Sequence, residues 1–207
     1  MDNLVSHGRE TSDDRRKEIA RAARELIIEK GFEGLRTRDI AERVGINIAT
    51  LHYHVPNKQA LVALVAHSMQ VDFAEQSRRR PRAHLPPLEQ LRVEFEDFRE
   101  SMAETPDVAI LMFELLGRAR RDPEIDAVMR PMYQHWTASL AAILAKGVAD
   151  ASFRPDLDAE AGALLLTGAM SDFWRRFGFD LPAFDRLAAE LERAVINPQS
   201  PVQGPLP

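Results

Sequence analysis

Residues 45–61 read GINIATLHYHVPNKQAL, and His52-Tyr53-His54 within them gathers three side chains that can exchange protons or hydrogen bonds. An imidazole can ligate zinc, act as a base, or bind an anion, and its tautomer decides which ring nitrogen donates. Spacing separates these chemistries. On a helix the facing neighbours lie three or four residues apart, so positions 52 and 54 point in well-separated directions and do not share a ligand. Zinc would want histidines four apart or further ligands, and the chain has no Cys. The absence of Cys also excludes disulfides and thiolate catalysis and fits a reducing compartment. No metal and no cofactor is therefore expected. Two readings stay open for the histidines: one packed and one solvated, or a hydrogen-bonding surface.

Other candidate chemistry is weaker. The run Asp156-Leu157-Asp158-Ala159-Glu160 is spaced loosely like a calcium loop, but Ala161 stands where such a loop needs glycine and Thr167 where it needs glutamate. Asp158 is more simply a helix N-cap. The C-terminal half has no Gly-x-Ser-x-Gly, no His-Glu-x-x-His and no phosphate loop, and Ser171-Asp172 has no triad around it. An enzyme is not expected. The same half is rich in large adaptable side chains, which at helical spacing form core more often than pocket but also line ligand cavities.

The 207 residues are 45% hydrophobic and 29% charged, an ordinary soluble globular balance. Net charge is −5, yet residues 1–58 carry 11 Lys/Arg against 10 Asp/Glu, while the remainder is acidic. The asymmetry is mild and has the sign expected if the N-terminal part meets a polyanion. The N-terminal residues show no apolar run of a signal peptide, and no stretch approaches a membrane span. A cytoplasmic location without membrane partners is the expectation.

The elements that must position His52–His54 are helical. From Asp14, Ile19, Ala22, Ala23, Leu26 and Ile27 form one stripe that Lys30-Gly31 ends. Thr37 is placed to N-cap a second helix closed by Gly45, with Ile40, Ala41 and Val44 inward. Asn47 can cap a third, Ile48–His54, whose inward face is Ile48 or Ala49 with Leu51 and Val55. Lys58 opens a fourth, to about Gln76. Two short helices joined by a tight turn make a helix-turn-helix, whose second helix keeps one face exposed. Four arginines and three prolines between Arg78 and Pro87 read as a linker. Helices are expected near 87–103, 107–119, 123–149 (with a kink at Pro131), 158–178 and 182–196. No segment alternates long enough to be a strand.

On these residues the chain resembles the TetR family of transcriptional regulators. Gly31-Phe32, Thr37, Ile40-Ala41, Gly45-Ile46-Asn47, Thr50-Leu51-His52-Tyr53-His54-Val55 and Asn57-Lys58-Gln59-Ala60-Leu61 follow the family's pattern over about fifty residues. The wording is nearest the tetracycline-repressor branch. His52 departs from the usual tyrosine, Ala49 from a common glycine and Val55 from the usual phenylalanine. Because position 52 is one the family often turns to DNA, operator preference does not carry over.

The resemblance implies an all-α fold: an N-terminal three-helix helix-turn-helix domain and a C-terminal helical ligand-binding and dimerisation domain. Expected boundaries are 14–58 for the DNA-binding domain, 59–77 for a connecting helix, 78–87 for the linker and 88–196 for the second domain. Residues 1–13 and 197–207 are expected to be disordered tails. The implied DNA-binding residues are Thr37, Arg38, Asn47, Ile48, Thr50, His52, Tyr53, His54 and Lys58. Among them Tyr53 and His54 would donate to phosphates, while Thr50 and His52 face bases. Arg15, Arg16 and Arg36 would add electrostatic affinity. Candidate effector-binding residues are Phe98, Met102, Phe113, Met132, His135, Trp136, Ser139, Thr167, Met170 and Trp174. The last two long helices, with Gly162, Ala163, Gly168 and Ala169, would form a homodimer interface. The implied function is that of a repressor released from a palindromic double-stranded operator by a small-molecule effector. The alternatives are an activator of the same fold, or an all-α small-molecule-binding or enzymatic protein that no longer reads DNA.

Overall fold

The computed structural model describes residues 3–198, without the side chains of residues 3–11, Ala109 and Phe113. The described residues form nine α-helices: α1 Asn3–Gly34, α2 Thr37–Val44, α3 Ile48–His54, α4 Lys58–Arg79, α5 Pro87–Glu104, α6 Pro106–Ala119, α7 Pro123–Ala149, α8 Ala159–Phe177 and α9 Leu181–Val195. They divide into two compact units. One comprises the chain up to Ala74 together with Ile110–Arg130; the other comprises Glu75–Ala109 and the chain from Pro131 on. The segment Ile110–Arg130, sequence-distant and expected in the second domain, thus packs with the first unit. Pro131 lies inside α7 at the point where the units part.

In the first unit, the α1 stripe is buried as its spacing demands: Ile19, Ala22, Ala23, Leu26 and Ile27 are all in the core. The helix starts at Asn3, eleven residues before the expected Asp14, and Gly31 breaks it with φ 70° and ψ 165°. That left-handed backbone suits glycine, and it turns Phe32 into the core. Gly45 closes α2 at φ 73°, ψ 32°, its N–H donating to the carbonyls of Ala41 and Glu42. Thr37 is not the cap of α2. Arg36 holds that position in extended backbone, and the amides of Asp39 and Ile40 already bond to its carbonyl. Helical geometry begins one residue earlier than the capping preference of threonine suggested, leaving Thr37 exposed in the first turn. Asn47 and Asn57 do cap, accepting from the amides of Thr50 at 2.7 Å and Ala60 at 2.8 Å.

The second unit has a core of Leu91, Phe95, Met102, Leu140, Leu144, Phe153, Leu166, Met170 and Phe184. Gly147 is there because the Phe153 ring passes so close that a Cβ would lie 2.0 Å from it. Arg92 on α5 and Glu192 on α9 make a two-pronged, largely buried pair at 3.0 and 2.8 Å. Asp158 caps α8, accepting from the amides of Glu160 and Ala161. The expected linker is shorter than composition suggested, since α4 runs to Arg79. Its arginines are tied down. Arg79 pairs with Glu100 at 2.8 Å, Arg80 with Asp97 at 2.8 Å and with Glu100, and Arg82 with Glu94 and Asp97. Carboxylates at 94, 97 and 100 share one face of α5 and receive Arg79, Arg80 and Arg82, while Arg78 pairs with Glu75 on its own helix at 3.9 Å. The expected C-terminal tail from residue 199 lies outside the described residues.

Candidate nucleic-acid interface

The helix α3 is short, and its two faces divide sharply. Leu51 is fully buried and Val55, just past the helix, nearly so. Against this anchor Tyr53 is 82% exposed and Ile48 45% exposed, and His52 and Ala49 also face outward. Ile48 and Ala49 were both expected as alternatives for the inward face, and neither is buried. A seven-residue helix buries one layer, and Leu51 with Val55 fills it. Thr50 is half-buried, its amide committed to the Asn47 carboxamide. Asn47 is exposed but its side-chain oxygen is spent on the cap.

The two histidines differ. His52 stands in solvent, whereas His54 is half-buried, with its ring edge-on to Tyr53 at 5.1 Å between centroids. Desolvation, and then the charges of Arg16 and Arg15, hold the His54 pKa below the usual imidazole value, favouring its neutral form. The guanidinium of Arg16 lies 3.5 Å from the His54 carbonyl, bringing α1 to the C-terminal end of α3. A phenol, an imidazole and a guanidinium thus gather at the C-terminal end of α3, with the exposed His52 on the same helix. Such a set can hydrogen-bond anions and the edges of bases.

Thr37 and Arg38 are exposed at the start of α2. Lys58 opens α4, with its ammonium 3.2 Å from an Asp122 carboxylate oxygen and 5.2 Å from the centre of the Phe32 ring. On the same ring lies the Arg118 guanidinium, 5.0 Å away. Asp122, Arg118 and Phe32 were not singled out by sequence reasoning. They lie 26 to 64 residues from Lys58, and no local pattern links them to it.

In the second unit Phe98, Trp136 and Trp174 come together. The Phe98 ring lies 6.0 Å from Trp136 and 5.2 Å from Trp174, and Phe184 and Tyr133 extend the cluster. Met102, Met170 and Thr167 are buried, and the Thr167 hydroxyl donates to the Ala163 carbonyl at 2.8 Å. Met132 and Ser139 are half-buried, and His135 is exposed. Phe113 lies on α6, its side chain outside the described residues. Beside the cluster, burial pushes the Glu94 carboxyl above its usual value, against the opposing pull of Arg82; Asp97 raises it further, and a hydrogen bond from Trp136 lowers it. Among the described residues, no three His, Cys, Asp or Glu side chains gather as a metal site would require. No described helix is long and apolar enough to cross a membrane.

Comparison with known proteins connects the two units. Residues 19–65 match the profile of bacterial regulatory proteins of the tetR family, and residues 87–196, just over half the chain, match that of the BetI-type transcriptional repressor C-terminal domain. The chain is 45% identical over 51 residues to tetracycline repressor protein class D of Escherichia coli, which covers 25% of this chain and 23% of that protein. The chain therefore spans about a quarter of the tetracycline repressors it matches. It is 29% identical over 153 residues to the HTH-type transcriptional repressor KstR2 of Mycolicibacterium smegmatis, covering 70% of this chain and 71% of the other. A crystal structure of a TetR transcription regulator from Haloarcula marismortui shares the fold, with TM-score 0.78 at 20% identity over 89% of this chain and 99% of that one.

Proposed function

Because the chain belongs to the TetR family of bacterial regulatory proteins, we propose that it is a dimeric, sequence-specific DNA-binding repressor, released from a palindromic operator by a small-molecule effector in the cytoplasm. The observation that carries this reading is the division of α3: Leu51 and Val55 lock the helix to the core, Ile48, His52 and Tyr53 stand exposed, and Arg16 reaches the His54 carbonyl at the helix end. A fixed helix with an unpaired polar and aromatic face fits the major groove. Thr37, Arg38, Tyr53, His54 and Lys58 contact phosphates and set the register; His52 and Ile48, with Thr50 behind them, face bases. Asn47 serves by capping α3.

Dimerisation falls to α8 and α9. Leu164 is 59% and Leu165 54% exposed, and Gly168 opens onto free space. Those residues share a face that a second copy covers. Gly162 and Ala163, named with Gly168 and Ala169 as candidate contacts, turn inward instead: a Cβ on Gly162 would come within 2.9 Å of the Leu144 side chain. Two-fold symmetry then sets two copies of α3 roughly 34–36 Å apart, in successive major grooves. The effector is apolar or amphipathic and binds the second unit around Phe98, Trp136 and Trp174. It acts only as far as its affinity differs between the DNA-competent and released states.

Selection from a random duplex pool at near-physiological salt tests the reading. A recovered palindrome is expected. Failure of folded, dimeric protein to enrich any sequence contradicts it, and favours an all-α small-molecule binder without DNA recognition.

A further inference from the structure

We propose that Asp122 is an intramolecular stand-in for a DNA phosphate: it holds the Lys58 ammonium in the DNA-free chain and must yield it when DNA binds. The inference rests on the reading of Lys58 as a phosphate contact and adds to it a regulation of that contact.

The geometry is that of a built receptor for one ammonium group. Asp122 precedes α7 and its Oδ1 accepts from the amides of Glu124 at 3.1 Å and Ile125 at 3.3 Å. The first turn of α7 therefore fixes the carboxylate and leaves Oδ2 for Lys58 Nζ, at 3.2 Å. Burial opposes ionisation of Asp122, but the Lys58 bond and the two amides outweigh it and keep the carboxyl below its usual range. The lysine is steered from the other side by the Phe32 face. Phe32 is itself gripped by the same stretch of chain. Its amide lies 3.5 Å from the Glu114 carboxylate, Arg118 covers its ring, and Arg118 pairs with Glu33. Residues 114–122 thus hold the end of α1 and the first residue of α4 together, all within the first unit.

A carboxylate and a phosphate compete for the same cation. The Lys58 side chain remains about half exposed, so the pair is a partly screened one, whose loss should change affinity by about twofold to fivefold. Coupling of this kind is reciprocal: any shift of the α6–α7 turn that withdraws Asp122 favours DNA, and DNA favours that shift.

The test measures binding of the 207-residue chain to a labelled random-sequence duplex of about 30 base pairs, long enough for two half-sites. Wild type, Asp122→Asn, Lys58→Ala and the double variant are compared, with thermal unfolding of each. Asparagine caps a helix as well as aspartate does, so Asp122→Asn keeps α7 intact. Lys58→Ala is expected to weaken binding and to flatten the salt dependence by about 0.9 in log–log slope per contact. Asp122→Asn is expected to tighten binding about twofold to fivefold in the Lys58 background and to do nothing without Lys58. An equal gain in both backgrounds would reduce the effect to the loss of one negative charge and overturn the proposal, as would no gain in either. If Lys58→Ala bound like wild type, the phosphate-contact reading itself would have failed, and the latch with it.

Discussion

In the first unit, the side chains placed to face bases stand on one seven-residue helix; in the second, those placed to meet an effector arrive from four, with Phe98 on α5, Trp136 on α7, Trp174 on α8 and Phe184 on α9. On α3 the buried and exposed residues are different residues. Leu51 holds the helix while Tyr53 stands free of the core. In the aromatic cluster the same rings that could touch an effector also fill the core, and Trp174 is buried. Binding and stability are therefore separable in the first unit and entangled in the second.

The entanglement has the largest expected consequence. Trp174→Ala should cost about 3–5 kcal/mol by removing a buried aromatic, and thermal unfolding of the full chain should show the loss. A variant as stable as wild type would mean that the cluster is not core. In the first unit Leu51→Ala should cost about 2–5 kcal/mol and abolish DNA binding only because α3 loses its seat; denaturant titration reads the first effect and DNA retention the second. Asn47→Ala should cost about 1 kcal/mol by leaving the Thr50 amide uncapped. Tyr53→Ala is the sharpest contrast. With no core contact to lose, it should leave stability within about 0.5 kcal/mol while weakening DNA binding.

A smaller effect follows from His54. Its pKa is depressed in the folded chain by desolvation first and by Arg16 and Arg15 next. The folded state therefore binds this proton less readily than the unfolded one. The stability it contributes is fully present above the unfolded value and is lost as pH falls through it towards the folded value. Thermal midpoints of wild type should fall more than those of His54→Gln between about pH 7 and about pH 5. DNA phosphates act oppositely, favouring imidazolium, so DNA affinity should strengthen over the same range. Identical pH profiles for the two proteins would remove His54 from the account.

The same contrast governs what was legible in the sequence. The helix-turn-helix is local: the α1 stripe, the Gly45 turn and the Asn47 cap all lie within about thirty residues, and periodicity and capping chemistry describe them. Around the turn the differences are of one residue, with Arg36 rather than Thr37 capping α2 and Ile48 left outside the core; the start of α1, eleven residues before Asp14, is the larger one. The run from Arg78 to Arg82 read as a linker on composition. Glu94, Asp97 and Glu100, the partners of Arg79, Arg80 and Arg82, sit at three-residue spacing on α5, a pattern that is legible in the sequence. The Lys58–Asp122 pair and the company of Glu94 with Trp136 depend on tertiary packing across 42 to 64 residues, for which one sequence holds no pattern.

The most direct test of the central claim, that the exposed face of α3 reads base sequence, is a side-by-side selection of duplexes by wild type and His52→Ala. His52 lies outside the core, so both proteins should fold alike. The account predicts that both recover a palindrome and that the variant changes its preference at the base pairs facing the middle of each half-site. Unchanged affinity and unchanged preference would contradict it, and would take His52 off the DNA.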